Sequence, residues 1–151
     1  MNFNALKPEV SDIIQKNSKT VEERLTLICQ LLKEKVDYYN WVGFYFINDD
    51  KPELKLHSYA GAPTDHTIIP FGRGICGQVA VSNQNFVVPD VNAQDNYIAC
   101  SIDTKSEIVV PLFVDEKNIG QIDIDSHTID PFTQEDEDFL SWVNEQVAKI
   151  L

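Results

Sequence analysis

The sequence predicts an α+β fold, one antiparallel sheet with helices packed on it. Three observations carry this prediction. Helical periodicity is strongest towards the two ends of the chain, and strand-like runs joined by short polar turns fill the middle. The composition, 43% hydrophobic over 151 residues, supports one buried core and leaves too little for two.

The elements follow in order. Pro8 suits the first turn of an N-terminal helix. Thr20 opens a second helix with Glu23 as its capping-box partner, and Val21, Leu25, Ile28, Leu32 and Val36 recur at helical spacing. The runs NWVGFYFI (40–47) and ELKLHSY (53–59) flank NDDKP, a hairpin signal. Residues 60–71 contain Gly61, Pro63 and Pro70 and read as loop with little regular structure. GICGQVAVSN (74–83) reads as a short helix and FVVP (86–89) as a short strand. SEIVVPLFV (106–114) and NIGQIDID (118–125) form a second hairpin around DEK. The last helix starts at Thr133, capped within TQED, and is expected to run to Leu151.

Charge and cysteine usage exclude several classes. With 24 acidic against 12 basic residues the formal charge is −12, which argues against nucleic acid or an anionic membrane as partner. No apolar run reaches membrane-spanning length, and no signal segment opens the chain. Three cysteines make no disulfide framework, so a reducing cytoplasm is expected.

The motifs divide into weak and informative ones. GRGICG (72–77) satisfies G-x-G-x-x-G, but Pro70 interrupts the preceding run and no second β-α-β half follows. His57, His66 and His127 show no metal-ligand spacing with the cysteines. Neither a metal nor a cofactor is expected. In QIDIDS (121–126), Gln121, Asp123 and Asp125 share one strand face and Ile122 and Ile124 the other. That polar face is either solvated or the floor of a pocket. Aspartate is disfavoured in strands and like charges two residues apart repel, which favours the pocket. There, one carboxyl pKa would rise far enough to make a proton donor near neutrality. Trp41, Gly43 and Tyr45 share a face of the first strand, as a cavity wall or as plain core.

The three cysteines differ in setting. Cys29 lies beside a helix stripe and reads as packing. Cys76 follows Gly74 near a helix N-terminus, where the dipole lowers a thiol pKa. Cys100 lies on a polar loop, as a reactive thiol or an ordinary one. NAQDNY, just before it, is polar with few expected anchors.

Taken in order and spacing, NWVGFYF, FGRGICG, NYIAC, SEIVVPL, GQIDIDS and FTQEDEDFL resemble the free methionine-(R)-sulfoxide reductases, a family of stand-alone GAF domains. The resemblance spans roughly residues 20–151 and implies a single GAF domain over 1–151. It implies a central antiparallel sheet with terminal helices packed on one side and loops enclosing a pocket on the other. Free methionine (R)-sulfoxide would be the substrate and Cys100 the nucleophile. Glu107, Asp123 and Asp125 would surround the sulfoxide, with Trp41 and Tyr45 as apolar walls around its methyl group. A thioredoxin-like reductant is implied, and GAF domains commonly pair as homodimers through terminal helices. One departure stands out. Many members carry another cysteine ten residues before the one in GRGICG, and here that position is His66. Cys76 is then the remaining local thiol to resolve Cys100. The rival reading is a non-catalytic GAF module that binds a small ligand or senses redox state. Against it, there is no NKFDE-type motif, and Ser101 rather than histidine follows Cys100.

Overall fold

The computed structural model describes every residue except 49, 95 and 98–102. Six strands form one antiparallel sheet: β1 (Trp41–Asn48), β2 (Glu53–Ala60), β3 (Ile68–Pro70), β4 (Phe86–Val88), β5 (Ser106–Val114) and β6 (Lys117–Ser126), in the order β3-β2-β1-β6-β5-β4. Helices α1 (Lys7–Ile14), α2 (Val21–Lys35) and α4 (Gln134–Ala148) cover one face, and α3 (Gly74–Ser82) lies on the other.

Period-2 alternation sorts the sheet into two cores. Val42, Phe44, Ile108, Val110, Leu112, Ile122 and Ile124 face α1, α2 and α4 in the larger one. Trp41, Tyr45, Leu54, Val88 and Val109 meet α3 in the smaller. The α2 stripe is buried at Leu25, Ile28, Leu32 and Val36, as its spacing predicts, while Val21 at the first turn stays half-buried. Arg24 then donates from Nη1 to the Ile14 carbonyl at 2.8 Å, fastening the end of α1 to α2. Cys29 is fully buried, its thiol directed at the Ser58 carbonyl 3.8 Å away. Burial pushes its pKa up, which makes it the packing residue the sequence suggests.

Both capping boxes form. Thr20 accepts from Glu23 N at 3.1 Å while Glu23 accepts from Thr20 N at 3.2 Å. Thr133 and Asp136 repeat the device on α4. The β5–β6 hairpin turns at Asp115 and Glu116, with φ of 51° and 67°. Positive φ at both central residues is the turn whose twist matches the strands it joins.

Two expectations need correction. The 60–71 stretch contains β3, a short edge strand paired with β2, and Pro70 is tolerated there because an edge leaves one side of the strand unpaired. The last helix ends at Ala148 rather than Leu151, its final turn closing through Ile150 N to the Val147 carbonyl at 3.0 Å.

Asp136 also joins two distant parts of the chain. Its Oδ1 accepts from Tyr39 Oη at 2.7 Å and Tyr38 Oη at 2.9 Å, and its Oδ2 accepts from Thr133 N at 2.8 Å. Asp136→Ala should therefore destabilise the protein by about 2–4 kcal/mol, since a buried donor left without an acceptor costs roughly 1–3 kcal/mol and a lost cap roughly 1. Urea unfolding checks this; a midpoint equal to the parent's would remove the tie from any stabilising role.

Candidate active site

The strand register brings the acidic residues together. On β6, Asp123 sits opposite Gly43 of β1 and Val109 of β5, while Asp125 sits opposite Trp41 and Glu107. Glu107 in turn faces Val88 of β4. Glu107, Asp123 and Asp125 are 3%, 1% and 1% exposed, so the polar face of QIDIDS is buried and not a solvated surface. Gln121 continues the same row, fully buried, and donates from Nε2 to the Cys76 carbonyl at 3.1 Å.

Helix α3 lays Cys76 over this face. Gly72 and Gly74, with φ of 86° and 62°, turn the chain sharply into the helix. Gly77 packs so closely that an added Cβ would lie 2.6 Å from the Pro70 carbonyl oxygen. The G-x-G-x-x-G spacing is thus accounted for by a tight turn and a close backbone approach. Cys76 Sγ lies 3.9 Å from Glu107 Oε2. Cys76, Glu107 and Asp123 each place a donor atom within 4.8 Å of the others, a geometrically metal-competent set that histidine spacing does not reveal.

The electrostatics favour a shared proton. Burial pushes the Glu107 pKa well above the carboxylate range, the charges of Asp123 and Asp125 push it further, and hydrogen bonding from the protonated form to both reinforces this. Asp123 is also raised by burial, with Glu107 and Cys76 pulling the other way. Neither Asp123 oxygen makes a hydrogen bond of full geometry, yet both neighbours are near enough to favour its charged form. Glu107 is therefore the group that holds the proton, and the cluster titrates as a unit.

The apolar side is equally fixed. Trp41 donates from Nε1 to the Ala62 carbonyl at 3.0 Å, and Tyr45 donates from Oη to the His66 carbonyl at 2.8 Å. Both rings lie buried in the smaller core, 6.4 Å apart. His66, Ile69, Arg73, Gly74 and Ile75 join Cys76, Glu107 and Asp123 in lining a cleft whose free volume is about 10 Å³, room for about one water. Among the residues proposed from sequence, Cys100 lies outside the described residues. The others gather in or beside this cleft.

Sequence reasoning missed Asn96. Its Oδ1 accepts from Gly74 N at 2.9 Å and its Nδ2 donates to the Gly72 carbonyl at 2.7 Å. Gln78 adds a bond from Nε2 to the Asn96 carbonyl at 3.2 Å. The expectation of few anchors in NAQDNY fails here, because the partners lie 18 to 24 residues away and leave no local signal.

Residues 18–151 match the GAF domain, which fixes the class of fold. The chain is 41% identical over 121 residues to the free methionine-R-sulfoxide reductase of Escherichia coli (strain K12), a match covering 80% of this chain and 72% of that protein. It is also similar to the X-ray structure of the free methionine-R-sulfoxide reductase from Neisseria meningitidis in complex with its substrate, with 34% identity and a TM-score of 0.91 over 98% of this chain and 87% of that one. The reduced form of the Staphylococcus aureus protein fRMsr gives 35% identity and a TM-score of 0.90 over 99% and 95% of the two chains. This chain belongs to the free methionine-R-sulfoxide reductase family of GAF domains.

The raised Glu107 pKa has a consequence for stability. The native state keeps the proton above 4.5, the ordinary value, while the unfolded chain loses it. Glu107's contribution is therefore greatest below 4.5 and falls as pH rises towards the folded value. Glu107→Gln should match the parent near about pH 4 and gain on it progressively by about pH 8. Thermal unfolding across that range checks the sign; a pH-independent difference would mean that Glu107 titrates normally.

Proposed function

We propose that this chain reduces free methionine (R)-sulfoxide to methionine, with Cys100 as nucleophile. The observation that carries the reading is the buried triad of Glu107, Asp123 and Asp125, flanked on the same sheet face by Trp41 and Tyr45, in a chain of this family. A sulfoxide needs both halves of that arrangement. Its oxygen must take up a proton as sulfur is attacked, and its methyl group needs an apolar wall.

In the first step the Cys100 sulfur attacks the sulfoxide sulfur and the sulfur–oxygen bond breaks. Glu107 gives its proton to the oxygen while the Cys100 thiol proton returns to the acid cluster. The protonated oxygen passes to the Cys100 sulfur as the transient sulfur–sulfur bond breaks, so methionine leaves and Cys100 is left as a sulfenic acid. In the second step Cys76 attacks that sulfenic acid, forming a disulfide and releasing the oxygen as water. A thioredoxin-like dithiol then reduces the disulfide and is itself oxidised. The Cys76 contact with Glu107 at 3.9 Å supports this role, since the carboxyl can relay the thiol proton. A cytoplasmic setting suits such a donor, and no helix among the described residues is long and apolar enough to cross a membrane. Pairing into a homodimer through the terminal helices completes the reading.

The direct test is to mix protein, dithiothreitol and each sulfoxide epimer and measure free methionine. The (R) epimer should be consumed, Cys100→Ser should be inactive, and Glu107→Gln should lose roughly 10² to 10⁴ in rate. Turnover by Cys100→Ser would overturn the mechanism. A protein that binds a small ligand but releases no methionine would instead be a GAF sensor.

The resolving step has its own test. One equivalent of substrate without reductant should yield a Cys76–Cys100 peptide by mass spectrometry. Cys76→Ser should still release one methionine per enzyme but stall with thioredoxin. Normal cycling by that variant would assign resolution to an external thiol.

A further inference from the structure

We infer that Gly43 and Gly61 set the affinity for substrate by forming the floor on which the Trp41 indole lies flat. The inference deepens the proposed function and rests on Trp41 walling the substrate pocket.

The geometry is specific about how the ring is held. A Cβ added at Gly43 would overlap Trp41 Cη2 and lie 2.6 Å from Cζ3, so the six-membered ring rests directly on Gly43. A Cβ at Gly61 would lie 2.7 Å from Cδ1 and 3.2 Å from Cγ, so the five-membered ring rests on Gly61. Gly61 follows Ala60, which pairs with Val42, placing it beside Trp41 across the β1–β2 pair. The Nε1 bond to the Ala62 carbonyl at 3.0 Å fixes the ring's rotation. Tyr59 stacks on Trp41 with centroids 5.6 Å apart and planes 16° apart, and the Tyr45 ring lies 6.4 Å away, tilted by 34°.

Two positions without side chains thus set the depth of the aromatic wall. Gly43 sits opposite Asp123, so the ring's distance from the acid floor depends on nothing filling that position. A methyl group there must lift the indole from the sheet into the space a substrate methyl would use, because the interior offers no slack to absorb it. At Gly61 the backbone φ of 130° adds a second reason for glycine, so Gly43 is the cleaner site to test.

The test measures binding rather than turnover. In Cys100→Ser protein, methionine (R)-sulfoxide affinity by calorimetry should fall roughly tenfold with Gly43→Ala, the effect of about 1.4 kcal/mol of overpacking. In a Trp41→Phe background, whose smaller ring leaves room for the methyl group, the same substitution should cost less than about threefold. Equal penalties in both backgrounds, or none with Trp41 present, would overturn the inference. A ligand-free readout separates the two ideas. In Trp142→Phe protein, where Trp41 is the remaining tryptophan, Gly43→Ala should shift its emission and increase acrylamide quenching. If Cys100→Ser protein binds no sulfoxide, the reductase reading falls. An unchanged Trp41 emission would independently overturn the glycine floor.

Discussion

The site depends on one constraint, the antiparallel register that places Glu107 of β5 opposite Asp125 of β6. Strand side chains alternate with a period of two, so a one-residue slip would exchange the faces of the whole strand. Ile122 and Ile124 would then enter the cleft, and Asp123 and Asp125 would enter the larger, apolar core. Both outcomes are costly, which makes the register strongly specified. The tight turn at Asp115 and Glu116 closes the hairpin at its far end and leaves little room for an alternative. Beyond the hairpin, β1 completes the arrangement by placing Trp41 and Gly43 across from the two aspartates.

Burying three carboxyls opposes folding, and the opposite face of the same sheet offsets it. There α1, α2 and α4 bury a continuous apolar core against alternate residues of β1, β5 and β6. Along β1, β5 and β6, residues of this core alternate with residues of the smaller core and the cleft. Retention of a proton on Glu107 reduces the cost further, because a neutral acid between two carboxylates replaces a third like charge. The acidic site is tolerated as a proton-sharing unit, not as three separate anions.

The legibility of the sequence follows the range of each interaction. Thr20 with Glu23 and Thr133 with Asp136 are pairs three residues apart, and both capping boxes are visible in the text of the chain. The parity of Gln121, Asp123 and Asp125 is local too, so their common face was readable. What that face met was not. Cys76 reaches Glu107 across 31 residues, and only the docking of α3 on the sheet shows it. Strand β3 exists because β2 offers it an edge, and Asn96 binds a turn 22 residues upstream at Gly74. Tyr38 and Tyr39 find Asp136 almost a hundred residues away. In each case the local residues allow several partners and the tertiary fold selects one.

The proximity of thiol and carboxyl, at odds with ordinary thiol activation, makes sense in terms of that shared proton. A thiol beside an ionised carboxylate is hard to deprotonate, because the new charge is repelled. Cys76 lies against both Glu107 and Asp123, and Glu107, the member of the cluster that holds the proton, is neutral at rest. In the proposed reaction, that group gives its proton to the sulfoxide oxygen and becomes a base only at that moment. The charge then lies where a thiol proton can be collected, so one buried carboxyl can serve oxygen release and thiol attack in turn. Asp123 and Asp125 favour the proton's return to Glu107 between steps, because their charges beside it raise its affinity for the proton. An isolated glutamate at the same depth would hold its proton less tightly and have no neighbour to take it back from.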